Sequence, residues 1–135
     1  MANTAKGTFE IEMTPGPAEV AGAVSRIEFT KTFHGDLEAA GAGVMLSSGN
    51  PQAGTAGYVA IETVDGHLGG RQGTFALQQF GTMHNGEQTL HYEVVPGSGH
   101  GGLEGITGFL KLTIDPDGTH RYELAYDIAP RNGTA

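Results

Sequence analysis

Apolar and polar residues alternate along most of this chain with a period of two. Phe9, Ile11 and Met13 alternate with Thr8, Glu10 and Glu12, and Ile27, Phe29, Lys31 and Phe33 alternate with Arg26, Glu28, Thr30 and Thr32. That is the period of a strand with one face buried. Lys31 is the one member of its row that is not apolar. The same reading marks strands over 41–46, 57–64, 74–83, 89–95, 109–114 and 120–128, eight in all. Turn chemistry separates them: His34-Gly35-Asp36, Asp65-Gly66, Asn85-Gly86 and Asp115-Pro116-Asp117-Gly118 supply residues that tolerate positive φ or open a turn. Neighbouring strands are therefore expected to be antiparallel. Two Gly-rich connections, 47–56 and 96–107, are longer, and long loops in a compact fold often carry function. The segment 15–23, with two prolines and two glycines, reads as a loop rather than a helix.

Eight short antiparallel strands can close on themselves, which removes the unpaired edges of an open sheet. The expected fold is an all-β, eight-stranded antiparallel barrel spanning 1–135 as one domain, with a sandwich as the alternative. A barrel of that size is just wide enough inside to be filled by side chains or to hold one small ligand.

Composition narrows the partners. The 135 residues carry a formal charge of −8 with only seven Lys and Arg. That argues against nucleic acid or an anionic membrane surface, both of which attract cationic proteins. No apolar run approaches the roughly 20 residues of a membrane-spanning helix, and the opening residues lack the apolar core of a secretory signal. The expectation is a cytoplasmic protein. With no cysteine, disulfides, thiolate zinc sites and cysteine nucleophiles are excluded. The 23 glycines are dispersed among apolar segments, as turns and bulges would be.

Between 54 and 108 several ordered strings are distinctive. They are Ala56-Gly57-Tyr58-Val59-Ala60-Ile61-Glu62, Gly70-Arg71-Gln72-Gly73-Thr74-Phe75, Gly81-Thr82-Met83 and Val94-Val95-Pro96-Gly97-Ser98-Gly99. They resemble the bacterial family catalogued as domain of unknown function 3224, and the likeness extends to Lys31-Thr32-Phe33-His34-Gly35-Asp36-Leu37 and to 120–127. The resemblance implies a barrel like that of allene oxide cyclase, a fold also used by bacterial cyclases, and implies no reaction, because fold does not carry function. Two departures stand out. Gln79 occupies a position where the family usually has His, and His100-Gly101-Gly102-Leu103 stands where it usually reads Thr or Ser, Gly, Glu, Leu. The second change exchanges a carboxylate for an imidazole and apparent empty volume, as a catalyst engineered onto the barrel would.

Glu62 is the most informative carboxylate, since it shares a strand face with Tyr58 and Ala60 while Val59, Ile61 and Thr63 take the other. If that face points inward, Glu62 is a candidate general base, with Tyr58 donating a hydrogen bond. If it points outward, Glu62 is merely solvated. His100, the one side chain larger than a hydroxyl in Gly97-Ser98-Gly99-His100-Gly101-Gly102, is the second candidate base, since neutral imidazole serves near pH 7. Gln79, Met83 and Phe75 share a face and, with Tyr126, are candidate ligand-binding residues. The other histidines sit mostly at turns or strand ends, and no pattern favours a metal or a cofactor. Gly97, Gly99 and Gly102 match a dinucleotide fingerprint formally but lack its βαβ setting. Ser98 beside His100 lacks a nucleophile elbow.

Three functions remain open. The first is a small-molecule pocket protein, with cofactor-independent cyclase or isomerase chemistry on a small organic molecule. The second is an engineered general-base, lyase-type catalyst centred on His100 or Glu62. The third is a non-catalytic binding or structural barrel. Apolar rows left on the outside of an all-β protein point to a homo-oligomer, with a dimer favoured.

Overall fold

In the computed structural model, which describes residues 2–16 and 24–129, the chain is a closed eight-stranded antiparallel barrel with one extra strand. The segment 17–23 of the expected loop lies outside the described residues. The strands are β1 (Asn3–Pro15), β2 (Ser25–Gly35), β3 (Leu37–Asn50), β4 (Thr55–Leu68), β5 (Arg71–His84), β6 (Glu87–Val94), β7 (His100–Gly101), β8 (Ile106–Ile114) and β9 (His120–Ile128). Pairing runs β4-β3-β2-β1-β9-β8-β6-β5, and a β4–β5 ladder closes the ring; the two-residue β7 adds to β5. Most ladders are long, but β6 and β8 meet through one registered pair, Glu93 opposite Phe109. Among the described residues no helix is long and apolar enough to cross a membrane.

The alternation in the sequence is the alternation of the barrel wall. Phe9, Phe29, Phe33, Val64, Phe75, Leu77, Leu110 and Leu124 face inward and are buried, while Glu10, Glu12, Thr30 and Thr32 face out. Several strands are longer than the pattern suggested, and one expected turn is not a turn. Asp65 and Gly66 lie inside β4, paired with Thr74 and Gly73. A Cβ at Gly66 would lie 2.2 Å from the Glu38 carbonyl oxygen, so this glycine serves close strand approach. The reversal comes later, at Gly69-Gly70, where φ values of 58° and 81° form the primed two-residue hairpin that suits strand twist. Asn85-Gly86, with φ values of 52° and 81°, does the same between β5 and β6, as the sequence indicated. The connection 47–56 is largely strand, interrupted by a short 3₁₀ turn at Pro51–Ala53.

The other long connection closes one end of the barrel. Leu103 is fully buried within the core cluster, placed there by tight backbone turns. Gly102 N donates to Gln72 O at 2.8 Å, and Leu103 N to His100 O at 3.3 Å. The loop is a plug, and the core beneath it is packed from Leu37, Leu68, Phe75, Ile106 and Leu124. Deleting the Leu103 side chain is expected to cost about 2–5 kcal/mol. Urea unfolding of Leu103→Ala should show a clearly lowered midpoint, whereas His100→Ala, three residues away and exposed, should leave it within error.

Candidate functional site

Three polar side chains meet inside the barrel. Lys31 and Glu62 occupy inward positions on β2 and β4, strands separated by β3, and both are almost fully buried. Their reach across β3 is possible because β3 presents glycines there. Gly41 pairs with Lys31, and Gly43 pairs with Glu62. A Cβ at Gly43 would lie 2.7 Å from both Glu62 Cβ and Phe29 Cζ, so any larger residue would displace one of them. Lys31 Nζ donates to Glu62 Oε1 at 2.9 Å and to the Tyr92 hydroxyl oxygen at 2.7 Å, and Tyr92 donates to the same Oε1 at 2.5 Å. The ammonium is further surrounded by aromatic rings, with its nitrogen 4.6 Å from the Phe9 centroid and 5.2 Å from those of Phe29 and Tyr92. Such contacts stabilise a desolvated cation. Glu62 Oε2 is buried and has no hydrogen-bond partner among the described residues.

Burial dominates the electrostatics of this cluster. It lowers the Lys31 pKa from the ordinary lysine range, against the opposing pull of Glu62. It raises that of Tyr92 well above the ordinary tyrosine range, with the Glu62 charge and hydrogen bond adding to the effect. Tyr58 is raised by burial and then by Glu62. Its hydroxyl stays protonated at neutral pH and donates to Gln79 Oε1 at 2.7 Å.

Beyond this layer the barrel opens. A cavity of about 370 Å³ occupies the mouth opposite the Leu103 plug, lined inside by Ile27, Met45, Tyr58, Met83, Leu112 and Ile114. Tyr58 links the cavity to the polar layer, because it lines the one and is bonded to Gln79 in the other. Of the residues singled out from sequence, the structure therefore brings together Tyr58, Gln79 and Met83, with Glu62 beneath them. Phe75 and Tyr126 belong to the packed core instead. A Cβ at Gly69, in the turn at the plugged end, would lie 2.9 Å from the Tyr126 hydroxyl, which places that side chain away from the mouth.

His100 is not brought to Glu62. It pairs with Thr74, between the inward positions Gly73 and Phe75, so it shares the outer face with Thr74, and it is exposed. Nor does Gly102 clear a cavity: a Cβ there would lie 2.8 Å from Gln72 O. Ser98 serves the turn, accepting from Ala76 N at 3.0 Å and donating to Val95 O at 2.6 Å. Sequence reasoning missed Lys31 and Tyr92 as members of the polar cluster. Their signal was present in Lys31 itself, since a charge in an inward apolar row requires a buried partner of opposite sign.

Two outcomes follow from the cluster. Removing one partner of a buried ion pair typically costs about 3–5 kcal/mol, so Glu62→Gln should lower the urea midpoint sharply. The Lys31→Met/Glu62→Leu double variant, which leaves no unpaired charge, should recover much of that loss. The pH dependence has a definite sign. Tyr58, Tyr92 and Tyr122 all have raised values when folded. Their contribution to stability is therefore intact below the unfolded tyrosine pKa of about 10 and is lost as pH rises above it. Lys31, with a lowered value, contributes in the opposite direction at somewhat lower pH. Tyrosinate absorbance isolates the first effect: the native chain should ionise at higher pH than the urea-unfolded chain, and Tyr92→Phe should narrow the gap.

Comparison with known proteins bears on the whole barrel. A family model described as a protein of unknown function (DUF3224) matches residues 5–126, from β1 to β9. A crystal structure of a protein with unknown function from that family, from Shewanella oneidensis MR-1, is 45% identical. It has a TM-score of 0.87, and the match covers 95% of this chain and 98% of that one. None of the curated proteins matches. With the family model spanning all eight barrel strands and a family structure matching along nearly its full length, the chain belongs to the DUF3224 family.

Proposed function

We propose that this barrel binds a compact, largely apolar organic molecule in its mouth, holding one polar group of that molecule against Tyr58. The observation that carries this reading is the asymmetry of the interior. One end is packed solid and plugged by Leu103, while the other holds a cavity of about 370 Å³ with mostly apolar walls and a phenol at its inner side. Ligand sites of this kind combine apolar walls with a few placed polar groups. The Tyr58 hydroxyl, kept protonated by burial, spends its one proton on Gln79 Oε1 and so offers its lone pairs to a ligand donor such as a hydroxyl or N–H.

A cofactor-independent isomerase or cyclase reading rests on the same layer. Glu62 lies behind Tyr58 on the same strand face, buried and outside the cavity lining with its free oxygen towards Gly41, so this reading requires the Tyr58 layer to part and the carboxylate to turn before it meets a substrate. In this reading Glu62 takes the proton, and Tyr58 turns its hydroxyl from Gln79 to the oxygen on which charge develops. His100, on the outer wall, has no part in it, which removes support from a catalyst centred on that residue.

Binding is tested by amide chemical-shift mapping with a library of small alcohols, phenols and secondary amides. Shifts should cluster on Ile27, Met45, Tyr58 and Leu112. Met83→Trp, which fills the mouth, should abolish them, and Tyr58→Phe should weaken hydroxyl-bearing ligands roughly fivefold, the worth of one hydrogen bond. Shifts confined to the outer wall, or unaffected by Met83→Trp, would reject the mouth as the site. For the catalytic reading, turnover should survive His100→Ala and be lost in Glu62→Gln at a temperature where circular dichroism shows that variant folded. Survival in Glu62→Gln would remove Glu62 as the base.

A further inference from the structure

The outside of the barrel is as uneven as the inside. On the β1–β2 wall the outward residues are polar: Thr8 pairs with His34, Glu10 with Thr32, Glu12 with Thr30 and Thr14 with Glu28. On β3–β4–β5 an apolar patch stands among the outward residues, and the register makes it contiguous. Leu46 pairs with Val59 and Val59 with Phe80; Val44 pairs with Ile61, next along the same wall. Val59, Ile61 and Phe80 are 53%, 58% and 51% exposed. They border a groove of about 530 Å³ whose far side is His91, stacked on Phe80 with ring centroids 4.7 Å apart. Phe109, also more than half exposed, continues the face beyond the Gln78–Glu93 hydrogen bond.

We propose that this β3–β4–β5 face is where two copies of the chain associate about a twofold axis. Three observations select a second copy as the occupant. The first is area: the exposed apolar side chains amount to on the order of 500 Å², at the upper end of what monomers leave open. With a polar rim added, that approaches the roughly 800 Å² each partner contributes to a standard interface. The second is topology. Seven of the eight joins are full ladders, so free strand edge is confined to the β6–β8 join and the β3–β4–β5 face can meet a copy only wall to wall.

The third observation is charge. Each copy carries a formal charge of −8, so two copies repel unless they meet through a face poor in carboxylates. In the ring order β5 stands diametrically opposite β1. Pairing through β4–β5 thus turns the Glu10 and Glu12 walls outward, as far apart as the dimer allows. A strongly cationic partner would instead be drawn to the β1–β2 wall. The face lies on the outer side of the strands, so this inference stands apart from the mouth cavity and does not depend on it.

Sedimentation equilibrium of the native chain tests the assignment. The expected result is a monomer–dimer equilibrium in the micromolar range that tightens as salt screens the repulsion between copies. Ile61→Lys and Phe80→Asp should each weaken it roughly thirtyfold or more, as loss of a central contact does. Both positions are solvent-facing in the isolated chain, so circular dichroism and the unfolding midpoint should stay unchanged. Thr14→Lys, on β1 across the ring from β5, should leave the dimer intact. A native chain that stays monomeric at the highest soluble concentration would overturn the proposal. So would a dimer that survives both face variants, or one that weakens with salt.

Discussion

A carboxylate and an ammonium inside an apolar barrel must satisfy each other, and much of the interior is arranged around that requirement. Glu62 and Lys31 reach each other across β3 because Gly41 and Gly43 leave the strand bare at the crossing. The rings of Phe9, Phe29 and Tyr92 then surround the ammonium, and the Tyr92 hydroxyl completes the hydrogen bonding at Oε1. The cluster divides the barrel. On one side the residues pack to the Leu103 plug; on the other the walls separate into a cavity. Such a layer is exacting to keep, because a buried charge deprived of its partner is far more destabilising than an apolar pair of the same shape.

How much of this was written in the sequence differs from element to element. Strand faces were legible wherever a period of two ran on, as in β1, β2 and β4, and in β4 that grouped Tyr58 with Glu62 on one face while leaving open whether the face points in or out. Lys31 looked like an interruption of a row, although it was the clearest sign that the row enclosed something polar. The glycines were the main source of misreading. In Gly69-Gly70 they supply positive φ at a hairpin, while Gly66 sits within a strand because a neighbouring carbonyl occupies the space of its Cβ. The two uses look alike in one dimension, since the contact that explains Gly66 comes from a residue 28 positions earlier.

The same ambiguity governed the 96–107 loop. Its composition invites a reading as a mobile rim with a catalytic histidine, yet its glycines allow the backbone to fold tightly enough to drive Leu103 into the core. The direction of His100 was settled by a two-residue strand pairing that local sequence did not announce. Tyr126 and Phe75 illustrate a further limit. Alternation tells which residues face inward but not which layer of the barrel each reaches, and depth decides whether an inward side chain touches a ligand or another side chain.

The join between β6 and β8 gives the ring a latch. Every other neighbouring pair on the circumference is laced by a ladder of at least seven residues, whereas this one is held by a single registered pair. Local opening follows the route that breaks the least backbone hydrogen bonding, so the ring parts first along this line while the other seven joins stay closed. Leu90 and Leu112, which flank the gap on the mouth side, both line the cavity. A molecule in that cavity would have a side door beside the open mouth, so two routes rather than one would set how fast it leaves.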